Sequence, residues 1–444
     1  MYVALPPDVS EIVPRLAPGR FAELLQFRTA AARPDYVHWD KLRQLSAPEG
    51  LTHEEWWLLI KLARDPLLRT IPLTDPEGNP FVYGVPDLLA RQLHYVDQRC
   101  SGEVAMPEVV TADDQARRHY LVNSLMEEAI RSSQLEGATT TRKVAKEMLS
   151  TGREPKDRSE RMILNNYLAL QYMRDQMDDR LTPGTVMELQ RILTDGTLDD
   201  PDAAGRLQRP EEVRVSVVNS LDGTVLYNPP PAEQLPERLR RMCDFANEPD
   251  RPDHFIHPVV RAILLHFWLA YDHPFEDGNG RTARALFYWY MRTRKYWLVE
   301  YLSISRIIRG AASKYSRAFL FTETDERDTT YFIVHQLDVI LRAVDQLHDY
   351  LRKQMHDVRE VEGLLRSSEH FNHRQLALLG NALRAPDAQY SFQGHAASHG
   401  VTHETARNDL IPLAKMGLLE RRRHGRRYSF TSPADLGKRL KTLS

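Results

Sequence analysis

Residues 273–284 read His-Pro-Phe-Glu-Asp-Gly-Asn-Gly-Arg-Thr-Ala-Arg and lie between two helical segments, 257–271 and a second expected from Arg281. Few folds accommodate such a loop. Gly278, Asn279 and Gly280 tolerate unusual backbone angles, so successive N–H groups can turn into one concavity. The helix that follows adds its positive N-terminal end. Arg281 and Arg284 are three apart, hence neighbours on that first turn, and guanidinium groups suit phosphate oxygens. Asp277 offers a hard oxygen ligand of the kind Mg²⁺ prefers. His273, four residues earlier, is a candidate to take a proton from a hydroxyl nucleophile. A phosphate cradle, a metal ligand and a base are what phosphoryl or nucleotidyl transfer requires.

The rest of the 444-residue chain is compatible with a soluble enzyme. Its 42% hydrophobic and 27% charged residues exclude a wholly disordered or fibrous protein. No apolar run approaches ~18 residues, so no membrane span is expected. The N-terminal MYVALPPDVSEIV lacks a basic segment followed by an apolar one, so no signal peptide is expected. Two cysteines, Cys100 and Cys243, cannot build a disulfide framework or a cysteine zinc cage, and a cytoplasmic location is the expectation. Residues 1–110 carry no chemical motif and are expected to be a packing or recognition domain. Within them 52–64 reads as a helix capped by Thr52, with Glu54 and Glu55 in its first turn. Residues 71–73 and 81–83 read as a small hairpin. Further helices are expected over 112–149, broken at Gly137, and over 160–177, 182–193 and 233–247. Val213, Val215 and Val217 alternate, 221–224 turn the chain, and 225–227 return, which predicts a second hairpin. Residues 331–358 carry a heptad-like seam at Ile333, Leu337, Ile340, Val344, Leu347 and Leu351. A homodimer surface and packing within the chain are both open for that seam.

The loop resembles the signature of the Fic family, His-x-Phe-x-Asp/Glu-Gly-Asn-Gly-Arg-x-x-Arg, and matches all eight specified positions. The resemblance spans roughly 112–345 and implies a Fic domain over 111–358, a helical core with a hairpin flap. It implies that His273 is the general base and Phe275 the anchor of the loop. Asp277 would hold Mg²⁺ on the phosphates of ATP. Gly278, Asn279 and Gly280 would form the anion hole for the α-phosphate, with Arg281 and Arg284 on the outer phosphates. AMP would pass to a Ser, Thr or Tyr hydroxyl of a target protein, which can be the chain itself. Gly280 stands where Doc-type kinases of the family carry Lys. Upstream, Ser132-Ser133-Gln134-Leu135-Glu136-Gly137 resembles the family's inhibitory-helix motif, Ser/Thr-x-x-x-Glu-Gly/Asn. That implies a Glu136–Arg284 pair that keeps the γ-phosphate out in cis, with Ser132 fixing the helix and Gly137 closing it. The same glutamate would alternatively position a water that removes AMP. The hairpin bearing Val213, Val215 and Val217 would be the target-docking flap, read by strand addition. Tyr315 falls where relatives have a nucleotide-contacting tyrosine.

Residues 359–444 read helix, helix, helix, then a basic strand-turn-strand, which resembles a winged helix-turn-helix domain. Residues 371–444 hold 12 Lys and Arg against 5 Asp and Glu, on a chain whose formal charge is −2. The resemblance implies Arg407 at DNA bases and Arg421, Arg422, Arg423, Arg426 and Arg427 on phosphates. Leu410, Leu413 and Met416 are the expected apolar face of the third helix. The expectation is therefore a mainly α chain: a small N-terminal domain, a Fic core with its flap, and a winged helix-turn-helix domain. The expected activity is protein adenylylation with Mg²⁺ and ATP, autoinhibited by Glu136. The alternatives are AMP removal at the same site, or a DNA-binding transcriptional regulator whose Fic domain senses nucleotide.

Overall fold

The computed structural model describes residues 3–27, 35–101, 114–214, 217–218, 225–227, 229–250, 255–366, 370–384, 388–424, 427–433 and 435–443. The chain divides into two compact units. One comprises Met1–Val104 and Asn123–Val344, the other Ala105–Val122 and Asp345–Ser444. The N-terminal hundred residues thus share a unit with the 273–284 loop. No helix among the described residues is long and apolar enough to cross a membrane.

In the first unit, α1 (His53–Arg64) opens with the expected Thr52 cap, closed into a capping box by Glu55. β1 (Leu68–Thr74) and β2 (Pro80–Gly84) pair antiparallel, and α2 (Asp87–Cys100) follows. Then come α3 (Asp114–Leu135), α4 (Arg142–Thr151), α5 (Arg158–Asp175) and α6 (Pro183–Thr194). Thr182 caps α6 and Pro183 starts it, a position that needs no N–H. A short sheet of β3 (Val217–Val218) and β4 (Val225–Tyr227) precedes α7 (Leu235–Asn247). The centre is made by α8 (Pro258–Asp272) and α9 (Asn279–Thr293). These helices are buried on nearly every side, with Phe267, Trp268, Leu286 and Trp289 at 1% exposure or less. A helix buried all round belongs at the core, and here two of them meet at the 273–278 loop. α10 (Ala312–Thr324) and α11 (Thr330–Arg366) follow, and both α3 and α11 have residues in each of the two units.

Two expectations shift, and one left open is decided. α9 begins at Asn279, two residues before Arg281, because Gly278 takes a left-handed φ of 86° and starts the helix there. Among the described residues the flap pairs Val217 with Tyr227 and Val218 with Val225. Val213 precedes the strand and is 90% exposed, while Val215 and the turn at 221–224 lie outside the described residues. Of the seam, Ile333, Leu337, Ile340 and Val344 are buried in the first unit and Leu351 in the second, so this stripe packs within the chain.

The second unit contains α12 (His373–Arg384), β5 (Gln389–Tyr390), α13 (Phe392–His399), α14 (His403–Lys415), β6 (Glu420–His424), β7 (Arg427–Thr431) and α15 (Leu436–Leu443). The sheet order is β5-β7-β6. Leu378, Leu379, Leu410, Leu413, Leu418, Phe430, Leu436 and Leu440 form its core. Thr402 caps α14 as expected. Met416, expected on the apolar face, is the C-cap residue after α14 and is 43% exposed, because the face turns away once the helix ends. β5, only two residues long, and α15 carry no periodicity strong enough to be read beforehand. Asp409 is buried in α14. Burial alone would raise its carboxyl, but hydrogen bonds from Arg374, Asn372 and His395 outweigh that and hold it at about 2.

Candidate active site

The site begins where α8 stops. His273 takes left-handed angles, φ 46° and ψ 53°, while its N–H still donates to Leu269 O at 3.0 Å. A non-glycine residue holds that conformation at a cost of about 1–3 kcal/mol, so its surroundings must over-determine it. They do. Arg214 Nη2 donates to Asp272 O (2.8 Å) and to His273 O (3.1 Å). The buried Asp272 Oδ1 accepts from Arg238 Nε (2.8 Å) and Nη2 (2.7 Å), and its Oδ2 accepts from Trp268 Nε1 (2.9 Å). Arg238 Nη2 also donates to Thr74 O in β1 at 2.6 Å, so the N-terminal hairpin supports the corner. The His273 imidazole presents Nδ1 to Ala270 O at 3.4 Å, which leaves Nε2 to act as acceptor. Burial pushes its pKa below the usual histidine value; Ala270 O and the Glu136 carboxylate pull the other way, and Arg214 pushes with burial.

Phe275 is fully buried, as an anchor must be. Asn279 Oδ1 accepts from Phe275 N (2.9 Å) and its Nδ2 donates to Phe275 O (2.7 Å). The Asn279 side chain is therefore a staple, and what it can offer a ligand is its backbone N–H. The first intrahelical bond of α9 runs from Thr282 N to Gly278 O, so the amides of Asn279, Gly280 and Arg281 precede the helical ladder. A Cβ on Gly278 would lie 2.9 Å from the Thr194 methyl, and one on Gly280 would collide with the Glu136 carboxylate. Asp277 is partly exposed; Oδ1 accepts from Gly278 N (2.5 Å) and Oδ2 pairs with Arg281 Nη2 (3.0 Å). Arg281 is wholly buried and also donates to Leu193 O at 2.9 Å. Gln190, likewise buried, bridges Gly205 N (2.6 Å) and Asp277 O (3.0 Å).

Arg284 is 1% exposed. Its Nη2 donates to Glu136 Oε1 at 2.9 Å and to Ser132 O at 3.2 Å, and its Nε donates to Ser132 Oγ at 2.9 Å. The structure thus brings Ser132, Glu136, Gly280 and Arg284 together across 148 residues of chain. Gly137 carries φ 96° and lets the chain leave α3 there. Glu128 was not singled out from the sequence. It is buried one turn before Ser132 and accepts from Ser303 Oγ (2.8 Å), Ser305 N (3.1 Å) and Ser305 Oγ (2.5 Å). Burial raises its pKa, and the nearby Arg284 counters. The four-residue spacing of 128, 132 and 136, one helix face, was the available signal. The Tyr315 hydroxyl lies 2.9 Å from His266 Nε2, and burial and Glu136 raise its pKa while Arg284 lowers it. Arg214, Arg238, Asp272 and Gln190 were also missed; no motif marks them.

In the second unit Arg407 is exposed on α14, and the Arg421 guanidinium lies 5.1 Å from the centre of the Tyr428 ring. Arg422, Arg423 and Arg427 fall in β6 and β7 by their backbones, and Arg426 lies outside the described residues. Among the described residues no group of three or more His, Cys, Asp or Glu side chains is arranged to hold a metal. A single carboxylate beside bound phosphates is enough for Mg²⁺, and Asp277 fits that chemistry.

Comparison with known proteins agrees with this geometry. The Fic/DOC family profile matches residues 180–291, from just before α6 through most of α9. Protein adenylyltransferase fic-1 of Caenorhabditis elegans is 33% identical over 108 residues, 24% of this chain and 18% of that protein. Protein adenylyltransferase Fic of Nematostella vectensis is 30% identical over 163 residues, 35% of this chain and 34% of that protein. The matched region therefore spans about a third or less of those relatives. The crystal structure of a Fic family protein from Desulfovibrio desulfuricans G20 superposes with a TM-score of 0.50 at 19% identity, covering 78% of this chain and 94% of that one. The profile match at 180–291 takes in α8, the 273–284 loop and most of α9, so this segment of the chain is similar to the Fic/DOC family.

Proposed function

We propose that this chain transfers AMP from ATP to a Ser, Thr or Tyr hydroxyl of a protein, and that Glu136 restrains the reaction in cis. The observation that carries the reading is the Glu136–Arg284 pair directly over Gly280, at the N-terminal end of α9. A carboxylate paired with the buried Arg284 guanidinium and seated over Gly280, beside the helix end, takes the position an anionic phosphate would take. The α-phosphate belongs at the amides of Asn279, Gly280 and Arg281. Arg284 serves an outer phosphate once Glu136 withdraws, while Arg281 keeps the loop and Asp277 in place from beneath. Asp277 would hold Mg²⁺, which would neutralise phosphate charge. The target hydroxyl oxygen bonds to the α-phosphorus, its proton goes to His273 Nε2, the bond to the β-phosphate oxygen breaks, and pyrophosphate leaves. Tyr315, beside Arg284, would line the nucleotide site. Val213 and Val217 would lie along the target segment.

The curated relatives named protein adenylyltransferases support the same chemistry. The test uses ATP labelled at the α-phosphate with Mg²⁺. Glu136→Gly should label a protein, in the chain itself or in a lysate, and Glu136→Gly with His273→Ala should not. If neither labels anything, transfer is the wrong reading. The place of the Glu136 carboxylate beside Gly280 supports AMP removal as a second use of the site: Glu136 would then orient a water. That reading requires wild type to strip AMP from a modified protein faster than Glu136→Gly does. For the C-terminal part of the chain we propose a winged helix-turn-helix contact with duplex DNA, supported by the 12 basic against 5 acidic residues of 371–444 and by exposed Arg407. Binding that is insensitive to salt, or absent with every duplex tried, would end it.

A further inference from the structure

One side chain joins the flap to the catalytic corner. Arg214 follows the exposed Val213, yet its guanidinium turns inward. Its Nε donates to Pro230 O, on the return side of the flap, at 2.8 Å. Its Nη1 donates to Oε1 of the buried Gln208. Its Nη2 serves both Asp272 O and His273 O. Gln208 repeats the link from the other side, since its N–H donates to Pro274 O at 2.9 Å. The segment that carries β3 and β4 is thus tied at both ends to residues 272–274 through one guanidinium. The carbonyls it meets are among those a helix end leaves without intrahelical partners. The planar fork of arginine reaches several acceptors at once, which a lysine ammonium on its flexible stem does not reproduce.

We propose that Arg214 is a positioning residue that sets the His273 imidazole and yokes it to the flap, so that a target strand seated on the flap acts on the base through this guanidinium. Arg214 touches no reacting atom. What the yoke accomplishes rests on the transfer reading above; the mechanical link does not. Four acceptors in three separate segments converge on one side chain, and the residue they surround holds an otherwise disfavoured backbone conformation.

The test places Arg214→Met and Arg214→Lys in the full-length Glu136→Gly chain. Self-labelling from α-labelled ATP is followed alongside hydrogen exchange of the His273 amide without nucleotide. At saturating ATP the rate should fall ~10-fold or more in the Met variant, because small displacements of a catalytic group are costly, while the ATP concentration for half-maximal rate should move less than ~2-fold. Lys should recover part of the rate. Exchange at His273 should quicken ~10-fold or more in the Met variant. Val217→Pro, which disturbs the β3–β4 pairing, should also quicken His273 exchange, but should add little when Arg214 is already Met. Unchanged rate and exchange overturn the proposal. So does an equal loss of rate and ATP affinity, which would place the effect in the phosphate cradle. So does an additive Val217–Arg214 pair, which would mean no yoke. If the Glu136→Gly parent labels nothing, the transfer reading fails, and the exchange cycle alone decides the link in either direction.

Discussion

The 273–284 loop and the flap are neighbours built on opposite principles. In the loop, and at Asp272 just before it, side chains are committed to the protein itself: Asn279 to both backbone groups of Phe275, Arg281 to Leu193 O and Asp277, Asp272 to Arg238 and Trp268. The flap shows two residue pairs of β-structure among the described residues, and a 90% exposed valine precedes them. Phosphate chemistry needs groups held still before the substrate arrives, because preorganised dipoles cost no rearrangement during reaction. A surface that takes a strand from another chain needs an unpartnered edge. The difference teaches where substitutions should hurt, and how.

The largest expected effect sits in the loop. In the Glu136→Gly chain, His273→Ala should lower label transfer by about 10²–10⁴-fold, the usual contribution of a general base, with ATP binding retained by calorimetry. Retained transfer would move the base elsewhere. Next comes Glu136→Gly alone, which should raise labelling at least ~10-fold, equivalent to ~1.4 kcal/mol of competition removed from Arg284. Equal labelling by wild type would mean that the carboxylate is no barrier to ATP. A smaller effect bears directly on the contrast. Asn279→Ala leaves two buried Phe275 backbone groups without partners and should cost about 1–3 kcal/mol, read from thermal or denaturant unfolding. Val213→Lys at the exposed edge should stay within about 0.5 kcal/mol. If the two variants unfold alike, the rigid-loop and open-edge distinction collapses. The smallest is a shift in pH dependence. Burial pushes the His273 pKa down, so the acid limb of the pH–rate profile should lie below the ordinary histidine pKa of about 6.5. A limb above 7 would indicate a base that is exposed in the working enzyme.

How much of this was legible in residue order varies with the range of the interaction. The loop was legible because its parts are adjacent: a glycine for the left-handed turn, an arginine three residues from another, a carboxylate beside them. Thr52 and Thr182 were legible as caps for the same reason. The start of α9 lies two residues earlier than the sequence suggests because Gly278 adopts a left-handed φ of 86°, at a place where a Cβ would crowd Thr194. The pairing of Glu136 with Arg284 was anticipated only through a family resemblance. Nothing in the order of residues relates two positions 148 apart.

Local features therefore came from the amino-acid order: the helices on either side of the loop, their caps, and the glycines and charged side chains set between them. The three-dimensional packing alone chose the supports. Arg214, Arg238, Gln190 and Glu128 secure the site mostly through backbone carbonyls and amides or small hydroxyls. Every residue offers such groups, so they leave no pattern in the sequence. Likewise the seam at Ile333 to Leu351 announced an apolar stripe without saying what would cover it, and the fold of this chain supplies the cover. Hydrophobic burial is non-directional; periodicity specifies that a face must leave water, and only the assembled packing specifies against what.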